Sequence, residues 1–153
     1  MFTDFLLASL HHIFVFALFV ILGAQIVLVR PGIDAGALAR VSRLDRFYGI
    51  FAVGVLVAGL MRVYWGAKGP DYYFANHIFM AKFALFIVIG LLSIGPTLRF
   101  IAWRKALAAN PQARPEPGDM RRTRMFIHAE AAVIVLLPIL AAAMARGYGS
   151  VVH

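Results

Sequence analysis

Apolar residues in this chain come in four long runs separated by short polar stretches, and each run is long enough to be a membrane-spanning helix. The first covers about 5–29 and stops at Arg30-Pro31-Gly32, a charge followed by two helix breakers. The second covers about 44–65 and ends before Gly66, with Lys68-Gly69-Pro70 marking a turn. The third covers about 76–100, carries Pro96 near its far end, and is anchored by Trp103-Arg104-Lys105. The fourth covers about 125–145 and is closed by Arg146-Gly147-Tyr148-Gly149. A span needs roughly 20 apolar residues to cross a ~30 Å hydrocarbon layer, and every run meets that length. The pattern predicts an all-α, four-helix integral membrane bundle, with residues 1–153 as one domain.

The segments between the runs add detail. Asp34 is placed to cap a short amphipathic turn, Ala35 to Leu44, lying at the interface ahead of the second span. Asp71, Tyr72 and Tyr73 form a loop with the aromatic signature of a membrane–water boundary. Ala106 to Arg124, with its four prolines and glycines at Pro111, Pro115 and Pro117-Gly118, reads as a hydrophilic linker. The first run follows Met-Phe-Thr-Asp, which lacks a basic n-region, so it is expected to be a retained helix and not a signal peptide.

Composition agrees with this reading: 62% of residues are hydrophobic and 14% charged, against roughly 45–50% apolar in soluble domains. The net charge of +8 does not indicate nucleic acid, because the basic residues collect in two connections. Arg30, Arg40, Arg43 and Arg46 flank the first; Arg99, Arg104, Lys105, Arg114, Arg121, Arg122 and Arg124 flank the third. Only Arg62, Lys68, Lys82 and Arg146 fall on the other side. The positive-inside rule then places both termini outside, in the periplasm of a bacterium whose inner membrane holds the protein as a multi-pass chain. Absence of cysteine excludes disulfides, thiolate metal sites, iron–sulfur clusters and c-type haem attachment.

Candidate chemistry is concentrated in one slab of the outer leaflet. His11 and His12 lie roughly 10 Å below the outer face, Arg62 about one turn inside the second helix, and Lys82 about one and a half turns inside the third. His77, Tyr72 and Tyr73 lie just above. An intramembrane ionisable residue is a functional-site hypothesis by default. One histidine with apolar walls and nearby cations suits haem b: an imidazole ligates the iron and Arg or Lys receives the propionates. His12 is the leading ligand and His11 the second, with Arg62 and Lys82 as propionate partners. Gly59 leaves room for a flat macrocycle, and His77 is one source of the second axial ligand. The plainer reading makes each histidine a hydrogen-bond donor to a neighbouring helix, and lets Arg62 and Lys82 snorkel to lipid phosphates. His128 lies near the opposite face and His153 at the terminus, both outside this slab. Glu130 is expected to pair with Arg99 or another basic residue of that face. Six scattered methionines form no copper-binding pattern, and no phosphate loop, hydrolase triad or H-E-x-x-H motif is present.

Several segments resemble a family of small four-helix bacterial membrane proteins defined as a domain of unknown function. These are Leu10-His11-His12, Lys68-Gly69 with Tyr72-Tyr73, Phe79-Met80-Ala81-Lys82, the stretch from Leu91 to Phe100, and Met144-Ala145-Arg146-Gly147-Tyr148. The resemblance implies haem b binding and a homo-oligomer. The early Leu-His pair followed by Ile13-Phe14-Val15-Phe16 is also similar, more loosely, to small haem-containing protoporphyrinogen oxidases, whose later motifs are not evident. The expected function is a haem b-binding membrane protein in electron transfer, haem sensing or haem handling. The alternatives are an oxidoreductase acting on porphyrinogen or quinone, and a cofactor-free, proton-coupled transporter subunit.

Overall fold

The computed structural model describes residues 2–149, so His153 lies outside the described residues. Its elements are helices α1 (Phe2–Leu28), α2 (Ala35–Trp65), α3 (Gly69–Ala75), α4 (His77–Ala109), α5 (Pro117–Ile134) and α6 (Leu136–Ala145). Four apolar spans are long enough to cross a membrane: α1, α2, α4, and α5 with α6 taken together. One end of the bundle carries α3, the start of α1 and the end of α6, the other carries the arginine-rich connections; these are the terminal end and the basic end below.

Three helices are longer than the apolar runs. The separate interfacial turn expected at Ala35–Leu44 is the first part of α2, a continuous helix of 31 residues and about 46 Å. The cause is local. Asp34 caps the helix by accepting from the Ala37 N–H at 2.7 Å, nothing between Ala35 and Leu44 breaks a helix, and Ala37, Leu38 and Val41 are buried in the core. That same hydrogen bond holds the Asp34 carboxyl below its ordinary pKa. At the other end of the third span, α4 continues through Trp103 to Ala109, and Pro96 is buried inside it without ending it. The expected linker therefore shrinks to residues 110–116, since α5 begins at Pro117, a residue preorganised for the first helical position. The boundary loop holding Tyr72 and Tyr73 is the short helix α3, which starts in the same way with Pro70.

The fourth span is broken. Helix geometry lapses at Val135, three residues before Pro138, which has no N–H to return to the Ile134 carbonyl. The two pieces keep different neighbours. Helix α1 packs along α2 and also touches α5, and α4 packs on α2, α5 and α6. No Cα of α1 comes within 8 Å of a Cα of α6 among the described residues. The neighbours of α1 by this measure are α2 and α5.

A main core of Leu18, Leu22, Val41, Tyr48, Val55, Phe100, Ile127 and others fills the middle and the basic half. A small second cluster, Val63, Tyr73 and Met144, closes the terminal end. There Asn76 caps α4 by accepting from the Ile78 and Phe79 N–H groups, and its side-chain amide donates to the Tyr148 carbonyl at 3.3 Å. Many large apolar residues face outward, among them Phe5, Ile13, Phe16, Val20, Val53 and Leu91, as lipid contact requires and water would penalise.

Close approach of α1 to α2 rests on Gly54. A Cβ there would meet the Phe14 ring at 2.8 Å, so the ring must move or the helices must separate. Gly54→Ala is expected to cost about 1 kcal/mol through overpacking, read as a lower unfolding midpoint in detergent. An unchanged or raised midpoint would show that Phe14 rotates freely out of the way.

Candidate functional site

The four ionisable residues of the terminal half divide by helix face. His11 turns inward: its Nδ1 lies 3.2 Å from the Val55 carbonyl oxygen on α2, an arrangement in which a protonated Nδ1 donates. Val55, Gly59 and Arg62 follow one another at four- and three-residue intervals and so share a face of α2. A Cβ on Gly59 would stand 3.4 Å from His11 Cε1. The glycine thus gives the imidazole room to lie against α2, and the space expected to admit a macrocycle at that point holds the His11 ring.

His12 turns outward. It is exposed, with Nδ1 2.6 Å from the Ala8 carbonyl one turn earlier on its own helix. The two imidazoles are 5.9 Å apart and nearly perpendicular. Of the pair, the inward residue is His11, whereas the sequence pattern ranked His12 first. Both use Nδ1 on a backbone carbonyl, which leaves Nε2 of each as the nitrogen open to another partner.

Arg62 and Lys82 extend from α2 and α4, near enough for Arg62 to act electrostatically on Lys82 and for both to act on His11. Among the described residues neither cation has a carboxylate partner, and the one ion pair joins Arg99 to Asp119 at 2.7 Å. Arg62 Nε is buried with no hydrogen-bond acceptor. Of the two acids at this end, Asp4 accepts from the Ala67 N–H at 3.3 Å, and Asp71 is exposed on α3 and forms no ion pair among the described residues. The result is a patch of basic nitrogens without counter-charge among the described residues.

The remaining expected residues sit at the rim. His77 is exposed at the start of α4, its backbone N–H donating to the Gly149 carbonyl. Tyr73 is buried beside Phe79, with ring centres 5.2 Å apart, and Tyr72 accepts from Lys68 Nζ at 2.9 Å. No three His, Asp or Glu side chains converge among the described residues, so a site on histidine here offers one or two nitrogens at a time.

A second polar layer, deeper and toward the basic end, was missed. Tyr48 donates to Glu130 Oε1 at 2.5 Å, and both are buried. Asp45 accepts from Thr97 at 3.1 Å and, more loosely, from Gln25 at 3.4 Å. Glu130 therefore does not pair with Arg99, whose guanidinium is taken by Asp119 across α4 and α5. A crevice of about 130 Å³ runs between Arg46 and Arg104 to Asp45. The available signal was the three-residue spacing of Asp45 and Tyr48, which puts both on the inward face with Val41 and Val55. His128, as expected, stays apart, with Nδ1 2.7 Å from the Arg124 carbonyl of its own helix.

Comparison with known proteins adds one finding. A family model described as "Predicted membrane protein (DUF2214)" matches residues 3–149, nearly the whole chain. No curated protein and no solved structure matches. A four-span helical chain with this coverage belongs to the DUF2214 family of membrane proteins.

Proposed function

We propose that the terminal-half site binds haem b, with His11 as the iron ligand and Arg62 and Lys82 receiving the propionates. One observation carries the reading: an inward imidazole anchored through Nδ1 beside two cations that have no carboxylate partner among the described residues. An Nδ1–carbonyl bond orients a ligating histidine and fixes its tautomer, and uncompensated cations in an apolar slab call for an anion. The donor set fits the group, since haem needs one or two imidazoles and no converging acidic cluster. Bound there, haem supplies one-electron chemistry. The chain's part is to hold the iron through His11 Nε2, to neutralise the carboxylates, and to exclude water with the apolar walls of α1, α2 and α4. His12 Nε2 faces outward and is available to a second copy, which accords with a homo-oligomer. On this reading the protein sits in the bacterial inner membrane with its basic end cytoplasmic, following the positive-inside rule, and the haem lies toward the periplasm for electron transfer or haem handling, with a quinone or a protein as redox partner.

A second reading has its own support. The buried Asp45–Thr97 contact, which lines the crevice, and the Tyr48–Glu130 contact one turn further along α2 are groups a proton path without a cofactor would use.

Absorption spectra of the detergent-purified protein, oxidised and dithionite-reduced, test the choice. A Soret band with b-type reduced peaks is expected in the wild type. His11→Ala is expected to abolish it, while His12→Ala keeps a shifted spectrum. A protein that stays colourless after expression with added haem precursor, or a His11→Ala variant with the wild-type spectrum, overturns the assignment.

A further inference from the structure

At the basic end, the connection between α1 and α2 and the start of α5 enclose a groove of about 530 Å³. The buried Ile33 and Met120 form its apolar floor, with the exposed Pro31 and Pro117 beside them, and its rim carries Arg114, Arg121 and Arg124. Arg114 donates from Nη1 to the carbonyls of Pro111 and Ala113, which leaves Nε and Nη2 for another acceptor. None of the three arginines has a carboxylate partner among the described residues, and the nearby Asp119 is already held by Arg99. Glu116, the other acid near the rim, is exposed and gives α5 no side-chain cap.

The last point matters because α5 is an 18-residue helix whose N-terminus opens at this groove. Pro117 has no N–H to satisfy, but those of Gly118 and Asp119 precede the first intrahelical bond, which Met120 makes to Glu116. Uncapped N–H groups at the positive end of a helix dipole attract an anion. A cavity and a triad of arginines thus meet in one place, and an uncapped helix start adjoins them through Pro117. The groove also sits where the first and fourth apolar spans end, at headgroup depth. An apolar floor beneath a cationic rim matches an amphiphile whose phosphate sits at the rim and whose glycerol and first methylenes lie on the floor.

We propose that this groove is a binding site for the headgroup of an acidic phospholipid, phosphatidylglycerol being the simplest such molecule in a bacterial membrane. Arg121 and Arg124 contact the phosphate, Arg114 closes over it, and the Gly118 and Asp119 N–H groups complete the anion's shell. The site is distant in function and place from the histidines, so it stands or falls apart from haem binding.

Native mass spectrometry and thermal unfolding of the full-length protein test it, with added phosphatidylglycerol, phosphatidylcholine or inorganic phosphate. Phosphatidylglycerol is expected to be retained and to raise the unfolding midpoint, and phosphatidylcholine to do neither. Arg114→Gln with Arg121→Gln, both exposed positions chosen to spare the fold, is expected to weaken retention about 30-fold, from roughly 1 kcal/mol per arginine. The matched loss of charge at Arg46 and Lys105 is expected to leave it unchanged. Equal retention of the two lipids by the wild type overturns the proposal without reference to any variant. So does full reproduction of the effect by inorganic phosphate, which would make this a phosphate-ion site, and so does an equal loss in the Arg46/Lys105 control, which would reduce it to general surface charge.

Discussion

Tyr48→Phe is expected to lower the stability of the bundle by about 1–3 kcal/mol, the cost of leaving a buried polar group without its partner. The substitution removes one oxygen and scarcely changes shape, so packing contributes little to the loss. What it removes is the only hydrogen bond the Glu130 side chain makes among the described residues. Glu130 is 1% exposed and Tyr48 4%, so no bulk solvent takes the hydroxyl's place. The consequence is asymmetric. Tyr48→Phe combined with Glu130→Leu, which removes both partners, is expected to recover most of the stability, whereas Glu130→Gln alone is mild because its amide oxygen still accepts. Equilibrium unfolding in detergent across this double-mutant cycle measures the coupling. A coupling near zero would mean that water reaches Glu130, which would strengthen the reading of this layer as a proton path.

How far the sequence led depends on which physical signal each residue leaves. Four spans were legible because lipid demands about 20 apolar residues in a row, and nothing else in a small protein does. The helix ends were not. Hydropathy marks where the lipid stops, while a helix stops where a cap or a breaker stops it. So α2 begins at the Asp34 cap and not at Leu44, and α4 runs past the Trp103 anchor to Ala109. Pro96 and Pro138 illustrate the same limit. Both stand inside apolar runs, yet Pro96 is accommodated within α4 while the helix lapses ahead of Pro138. Neighbouring helices decide whether a missing N–H is tolerated, and the sequence does not show neighbours.

The site was legible as a set of residues and not as an orientation. That His11, Arg62 and Lys82 share a depth follows from counting residues along helices of known rise. Which of two adjacent histidines points inward depends on the rotation of α1 about its own axis. Packing sets that rotation: Phe14, three residues on from His11, lies against Gly54, and His11 lies against Gly59. The glycines of α2 thus select His11, through contacts only the folded bundle reveals. Asp45 was overlooked for a different reason. It falls where the polar connection meets the second apolar run, a place that hydropathy leaves undecided, and the continuous α2 turns it into the core beside Thr97.

Arg62→Met is expected to do two opposite things: to stabilise the ligand-free protein and to abolish binding of an anionic ligand at His11. Stabilisation follows from the buried Nε that has no acceptor and from the Lys82 charge nearby. Removing an orphaned buried donor returns about 1–3 kcal/mol, and methionine fills much of the same volume along the helix. A structural arginine behaves otherwise, because truncating one that has partners leaves those partners unpaired and destabilises the fold. Thermal unfolding of the ligand-free variant therefore separates a residue held in reserve for a ligand from one that serves the fold. A lower midpoint would show that the guanidinium is already engaged, with lipid phosphate as the partner a snorkelling side chain reaches. The companion Arg62→Lys keeps the charge but removes Nε. It is expected to gain stability as methionine does while retaining part of the affinity, since a propionate is attracted by an ammonium but is not clasped by it. Stability gained with binding lost identifies Arg62 as a residue kept for its ligand at the expense of the empty bundle.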